Sequence, residues 1–150
     1  MLGERLPRIR VGVVVTRQEC ILLVCHRKED RRYWMLPGGG LQWGETIAAC
    51  GVREVREETG IAVEPDRLLL IAETIEPSGR KHVLNMVILG RFVGGSLRCP
   101  TEEIIETVEW CPISRLGSIT MYPPIAERLC AGLSGGFATY PEHLGSIWAD

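Results

Sequence analysis

No apolar run in this chain is long enough to cross a membrane as a helix, because Arg, Glu or Gly interrupts each candidate. The segment Met1–Arg10 lacks the apolar stretch and small-residue cleavage site of a secretory leader. The six cysteines, Cys20, Cys25, Cys50, Cys99, Cys111 and Cys130, include no CxxC pair, so neither a zinc site nor a disulfide framework is expected. Reduced thiols of this kind fit a cytoplasmic protein. A strong charge of either sign is also missing. At a formal net charge of −2 the chain has no general attraction to nucleic acid or anionic membrane. Any phosphate binding must therefore be organised locally, and no sequence-specific nucleic-acid partner is expected. Neither an internal repeat nor a low-complexity stretch is present, and aromatic residues make up only 6%.

What the chain does have is an ordinary globular balance, 45% apolar and 24% charged, over 150 residues. That length predicts one domain over 1–150, with its core at about 8–131 and an unassigned tail at 134–150. Ile9–Val15 and Ile21–Cys25 read as strands of a hairpin, followed by an exposed charged loop over His26–Tyr33. Glu45–Glu58 is rich in helix formers and ends at Gly60, a C-cap position. Leu68–Thr74 and Val83–Phe92 predict two strands joined by Pro77-Ser78-Gly79, and Val108–Cys111 a further one. A last helix is expected from Pro123 or Pro124 to Ala131. Strands and helices mix without strict alternation, which predicts an α/β or α+β sandwich around a mixed sheet.

The chemistry concentrates in residues 38–61, GGGLQWGETIAACGVREVREETGI. On a helix Glu54, Glu57 and Glu58 stand at i, i+3 and i+4, so their carboxylates share a face, while Ala48, Val52 and Val55 turn toward a core. Three like charges held together repel one another unless something cationic sits among them. Oxygen-only ligands favour a hard divalent ion, Mg²⁺ with Mn²⁺ as a substitute. The Gly38-Gly39-Gly40 turn lets backbone approach a ligand, offering carbonyls to a metal and N–H groups to phosphate. Taken one at a time, a glutamate-rich helix is usually a solvated face and a glycine run usually a turn. Together they propose metal-assisted hydrolysis of a phosphoanhydride.

The joint spacing resembles the Nudix box, G-x5-E-x7-R-E-U-x-E-E-x-G-U with U a bulky aliphatic residue. Every fixed position is filled, from Gly39 through Glu45, Arg53, Glu54, Val55, Glu57, Glu58 and Gly60 to Ile61. The resemblance implies a Nudix-fold α/β/α sandwich around a mixed β-sheet and an enzyme that hydrolyses a pyrophosphate bond. By position it implies Glu54, Glu57, Glu58 and the Gly38 carbonyl as metal ligands. Arg53 would position the glutamates, with Glu45 as a structural partner and Gly39 and Gly40 facing substrate. In relatives the general base is either a box glutamate or one from a later loop. Here Glu102, Glu103 and Glu106 stand in that region, with Glu103 preferred against the alternative of a solvated acidic loop.

Outside the box the signals thin. Pro77, sixteen positions after Ile61, resembles the proline of ADP-ribose pyrophosphatases, although Pro-Ser-Gly also suits any turn. The resemblance thus implies ADP-ribose or a similar nucleoside diphosphate sugar as substrate. The alternatives are a housecleaning nucleoside triphosphate pyrophosphohydrolase and a non-catalytic nucleotide sensor. The complete box and the lack of spare length speak against the sensor. Tyr33, Trp34, Trp43 and Tyr122 are candidates to stack on a base, and His82 to touch ribose or phosphate unless it is a plain strand residue. Arg27, in the pair Arg27-Lys28 beside Arg31-Arg32, is a candidate to gather an anionic substrate, or else part of a solvated mixed-charge loop. Many members of the family are dimers, so a homodimer is a further expectation.

Overall fold

The computed structural model describes residues 4–150. β1 (Arg8–Val14), β2 (Thr16–Arg17), β3 (Cys20–Lys28), β4 (Arg31–Met35) and β5 (Gly38–Gly40) precede α1 (Ile47–Thr59). β6 (Ile61–Ile75), β7 (His82–Gly95), β8 (Ile105–Pro112), a 3₁₀ turn at Ile113–Ser118, α2 (Ala126–Ser134) and β9 (Glu142–Ser146) follow. One sheet runs β5-β1-β7-β6-β9 and is mixed, with the β1–β7 and β6–β9 pairs parallel. In the second sheet β8 pairs with β3 along Cys20–His26, while β2 and β4 pair with β3 at Cys20–Ile21 and Val24–Lys28.

Strand periodicity explains the layering. Along β3, Ile21 and Leu23 enter one core with Leu70, Val87, Leu116 and Leu129 of α2. Leu22 and Val24 point the other way, into a core with Val11, Val13, Ile88 and the α1 residues Cys50 and Val55. One helix therefore covers each face, which gives the expected α/β/α sandwich. Leu22, Leu23 and Leu70 are fully buried, each worth about 2 kcal/mol of hydrophobic stabilisation.

α1 carries its boundaries in its sequence. The Thr46 hydroxyl accepts a hydrogen bond from the Ala49 N–H at 3.0 Å, and Gly60 takes the left-handed conformation (φ 79°) that closes the helix. The buried face is Cys50, Gly51, Val55, Glu58 and Thr59. Ala48, expected there, is exposed, because the helix meets the sheet through Gly51, whose missing side chain leaves room for Ile88 and Val13.

Three local expectations are corrected. β1 and β3 are not hairpin partners: β1 lies in the larger sheet, and the tight turn at Gln18-Glu19 instead joins β2 to β3. His26–Tyr33 is no loop, since β3 and β4 pair across it from His26↔Tyr33 to Lys28↔Arg31, with only Glu29 and Asp30 unpaired. The last helix begins at Ala126, beyond both prolines. The unassigned tail supplies β9, which pairs with β6 from Leu70↔Glu142 to Glu73↔Ser146. Among the described residues, no helix is long and apolar enough to cross a membrane.

Candidate active site

β5 and α1 bring the two halves of the motif together. β5 pairs antiparallel with β1, Gly38 opposite Gly12 and Gly40 opposite Arg10. A Cβ at Gly38 would lie 2.0 Å from the Val11 carbonyl oxygen, so only glycine permits this approach. At Gly39 a Cβ would fall 2.4 Å from the Glu54 carboxylate, so the space that glycine leaves is filled by the helix acid.

Arg53 organises the acids. Its Nε donates to Glu45 Oε2 at 2.7 Å and its Nη2 to Glu45 Oε1 at 3.0 Å, a two-pronged pairing. Its Nη1 donates to Glu54 at 2.8 Å and to Glu57 at 3.2 Å, and Nη2 also reaches the Gly40 carbonyl at 3.4 Å. The hydrogen bonds from Arg53 hold the Glu45 carboxyl down to about 2. The guanidinium is raised above its ordinary range by the same partner.

Glu58 has a different environment. It is 8% exposed, accepts the Gly38 N–H at 3.3 Å through Oε1, and leaves Oε2 buried without a partner. Burial pushes its carboxyl up to about 8, against the favourable charge of Arg10. A carboxylate so placed keeps one oxygen unsatisfied, and Glu54, Glu57 and Glu58 offer the oxygen donors that a hard divalent ion prefers. Glu57 is the exposed member, at 59%. Among the described residues, no three acids stand close enough at once to grip an ion, since Arg53 occupies the space between Glu54 and Glu57.

Two participants escape a reading of the motif. Arg10 projects from β1 and donates from Nη2 to the Leu36 carbonyl at 2.9 Å, and its charge favours the ionised form of Glu58. An arginine in the otherwise apolar run Ile9–Val15 was the available signal. Cys50 directs its thiol toward the Gly39 and Gly40 carbonyls at 3.8 and 3.7 Å. Burial pushes that thiol up to about 11, so it stays protonated and remains a donor.

The other expected residues lie apart from this network. Arg27 pairs with Glu106 at 3.6 Å on the second sheet, where Arg32 also binds Glu106 at 2.6 Å. Pro77 sits in the β6–β7 turn. Beside that turn is a cavity of about 450 Å³ lined by Arg5, Leu6, Pro7, Gly79, Arg80 and His82. Of the three loop acids, Glu102 and Glu103 are both exposed, Glu102 adding a small charge effect at Glu58, and Glu106 is held by the two arginines. The loop is tied to the end of α1 by the Arg98 N–H, which donates to the Thr59 carbonyl at 2.8 Å. Trp43 is fully exposed.

Comparison with known proteins matches residues 6–131 to the family model for the NUDIX domain. The chain is 35% identical over 118 residues to human 8-oxo-dGDP phosphatase NUDT18, covering 77% of this chain and 35% of that protein. It is 30% identical over 93 residues to an ADP-ribose pyrophosphatase of Methanocaldococcus jannaschii, covering 61% of this chain and 55% of that one. The solved structure of a MutT NUDIX hydrolase from Burkholderia pseudomallei superposes with a TM-score of 0.65 at 30% identity, over 73% of this chain and 86% of that chain. The chain thus spans between 35% and 55% of the length of these two curated relatives.

Proposed function

The chain belongs to the NUDIX family, and on that premise we propose that it is a metal-dependent pyrophosphohydrolase acting on a nucleoside diphosphate derivative. ADP-ribose or a similar nucleoside diphosphate sugar is the first choice of substrate. The observation that carries this reading is the Arg53 guanidinium bound at once to Glu45, Glu54 and Glu57, beside a buried Glu58 with one unpaired oxygen. A fold that needed only a solvated acidic helix has no use for such an assembly.

In this reading Glu54, Glu57 and Glu58, with the Gly38 carbonyl, would hold Mg²⁺, with Mn²⁺ as a substitute. When bound, such an ion would neutralise charge on the diphosphate and make water a better nucleophile. Arg53 gathers Glu54 and Glu57 about one guanidinium, from which both carboxylates would turn toward the ion. Gly39 and Gly40 leave backbone accessible to the phosphates. Water adds its oxygen to one phosphorus, a neighbouring carboxylate takes its proton, and the bridging P–O bond breaks with its electron pair on the departing phosphate. Glu102 joins Glu103 as candidate base, because its charge is felt at Glu58. Arg27 and Pro77 remain proposed substrate contacts only for a substrate long enough to leave the glycine turn.

The second reading, hydrolysis of an oxidised or ordinary nucleotide, is favoured by the likeness to the 8-oxo-dGDP phosphatase. The test is product release from ADP-ribose, other nucleoside diphosphate sugars, 8-oxo-dGDP and nucleoside triphosphates, each with Mg²⁺ and with chelator. AMP and ribose 5-phosphate from ADP-ribose, formed only with metal, is the expected result. Turnover of 8-oxo-dGDP or triphosphates alone keeps the hydrolase and removes the ADP-ribose assignment.

A further inference from the structure

Four rings from three distant parts of the chain form a continuous row. His26 and Tyr33 have centroids 5.5 Å apart, Tyr33 and Tyr122 6.3 Å, and Tyr122 and Trp148 6.0 Å. All four are half-buried, so the row keeps an open side. Its inner end adjoins the box along the chain: β4, which carries Tyr33, leads through Leu36, whose carbonyl accepts from Arg10 at 2.9 Å, into the glycines of β5. There the His26 ring leaves its Nε2 buried and unpartnered, a polar atom that a base edge or a ribose hydroxyl would satisfy.

The outer end is built by the tail. β9 is fastened to β6, the Ile147 N–H donates to the Glu73 carbonyl at 2.8 Å, and Arg128 pairs with Glu142. The Tyr140 hydroxyl donates to the Arg128 carbonyl at 2.8 Å, and Arg67 Nη2 to the Phe137 carbonyl at 2.9 Å. Trp148 follows directly on this anchored strand. The ring itself meets the Tyr122 ring edge-on and donates from Nε1 to Asp150 at 2.9 Å, on a backbone already anchored, so it costs little to order when a flat partner arrives.

We propose that residues 142–148 form one wall of the nucleoside site, with Trp148 the outer member of a ring row on which the base of the nucleotide stacks. This deepens the hydrolase reading, on which it rests, by assigning recognition of the base to the C-terminal strand. The diphosphate lies at the glycine turn and the base runs outward along Tyr33 and Tyr122 to Trp148. Stacking tolerates different bases, since each presents a π face, so the row selects for a nucleoside over a plain sugar phosphate.

The test is binding of AMP, GMP and ribose 5-phosphate to the full chain without metal, by calorimetry and by quenching of tryptophan emission. W148A should weaken AMP and GMP about tenfold and leave ribose 5-phosphate unchanged. W148F should keep nucleotide affinity within about twofold but lose most of the quench, which a merely structural role would not produce. In turnover, W148A should raise KM with kcat nearly constant. Equal AMP binding by W148A and wild type, or an undiminished quench in W148F, overturns the proposal. If nothing is hydrolysed yet AMP binds through Trp148, the pocket stands and the hydrolase reading falls. Turnover with an unchanged KM in W148A keeps the hydrolase and removes the Trp148 wall.

Discussion

Arg53 grips Glu45 with two nitrogens, at 2.7 and 3.0 Å, while its third nitrogen holds Glu54 and Glu57. The arginine is thus the centre from which three carboxylates take their positions. Lysine carries the charge without the planar fork and cannot serve all three. R53K should therefore lower kcat by about a hundredfold with little change in KM, as expected when reacting groups are misplaced. Steady-state kinetics on the preferred substrate, with circular dichroism to confirm folding, measures this. A rise in KM with kcat unchanged would contradict it.

The adjacent glycines Gly38 and Gly39 should fail differently. An alanine methyl at Gly38 meets the Val11 backbone at 2.0 Å, which cannot retreat without opening the sheet. G38A should cost about 3 kcal/mol of stability. At Gly39 the obstacle is the end of the flexible Glu54 side chain, at 2.4 Å. G39A should melt near wild type yet lose activity, because Glu54 is displaced. Denaturant melts paired with turnover separate the two.

The loop acids offer a direct contrast. Both Glu102 and Glu103 are exposed, and of the two only Glu102 adds its charge, as the smallest influence, to the environment of Glu58. E102Q should reduce kcat about a hundredfold, the range of a lost general base, and E103Q by no more than a few-fold. Equal effects, or a larger one from E103Q, would return the role to Glu103.

Burial lowers the His26 imidazole from its ordinary 6.5 to about 4, with Arg10 adding repulsion. The unfolded chain therefore binds a proton below about pH 6.5 that the folded chain refuses until about pH 4. Stability should be full above that window and fall as pH drops through it, by about 1–2 kcal/mol once partial exposure is allowed for. H26Q should flatten this slope in denaturant melts at stepped pH.

Chelation should abolish turnover while leaving the fold intact, because both cores are built from apolar side chains on either face of the sheets. Restoring Mg²⁺ should recover activity in wild type and not in E58Q. A chelated protein that unfolds would make the ion structural instead.

The legible parts of this molecule are those whose partners are near in sequence. α1 begins two residues after the expected Glu45 and ends at Thr59 before Gly60, because capping and glycine signals act within one turn. Glu54, Glu57 and Glu58 share one thirteen-residue helix, so their spacing is written in the motif. Arg10, by contrast, meets Leu36 twenty-six residues away, and Arg27 is claimed by Glu106 from another strand. No periodicity encodes such meetings. The His26–Tyr33 stretch read as loop because charge marks exposure. An exposed hairpin carries the same charges and differs only in pairing across Glu29-Asp30.

β9 has a consequence beyond the nucleoside wall. Without it the fifteen-residue β6 would be the outermost strand of its sheet, with the backbone groups at Leu70–Glu73 unpaired. A long bare margin of that kind is a template on which a second molecule can add its own strand. The short tail strand therefore also works as an edge guard, and chains cut before Glu142 should precipitate on concentration before they fail to fold.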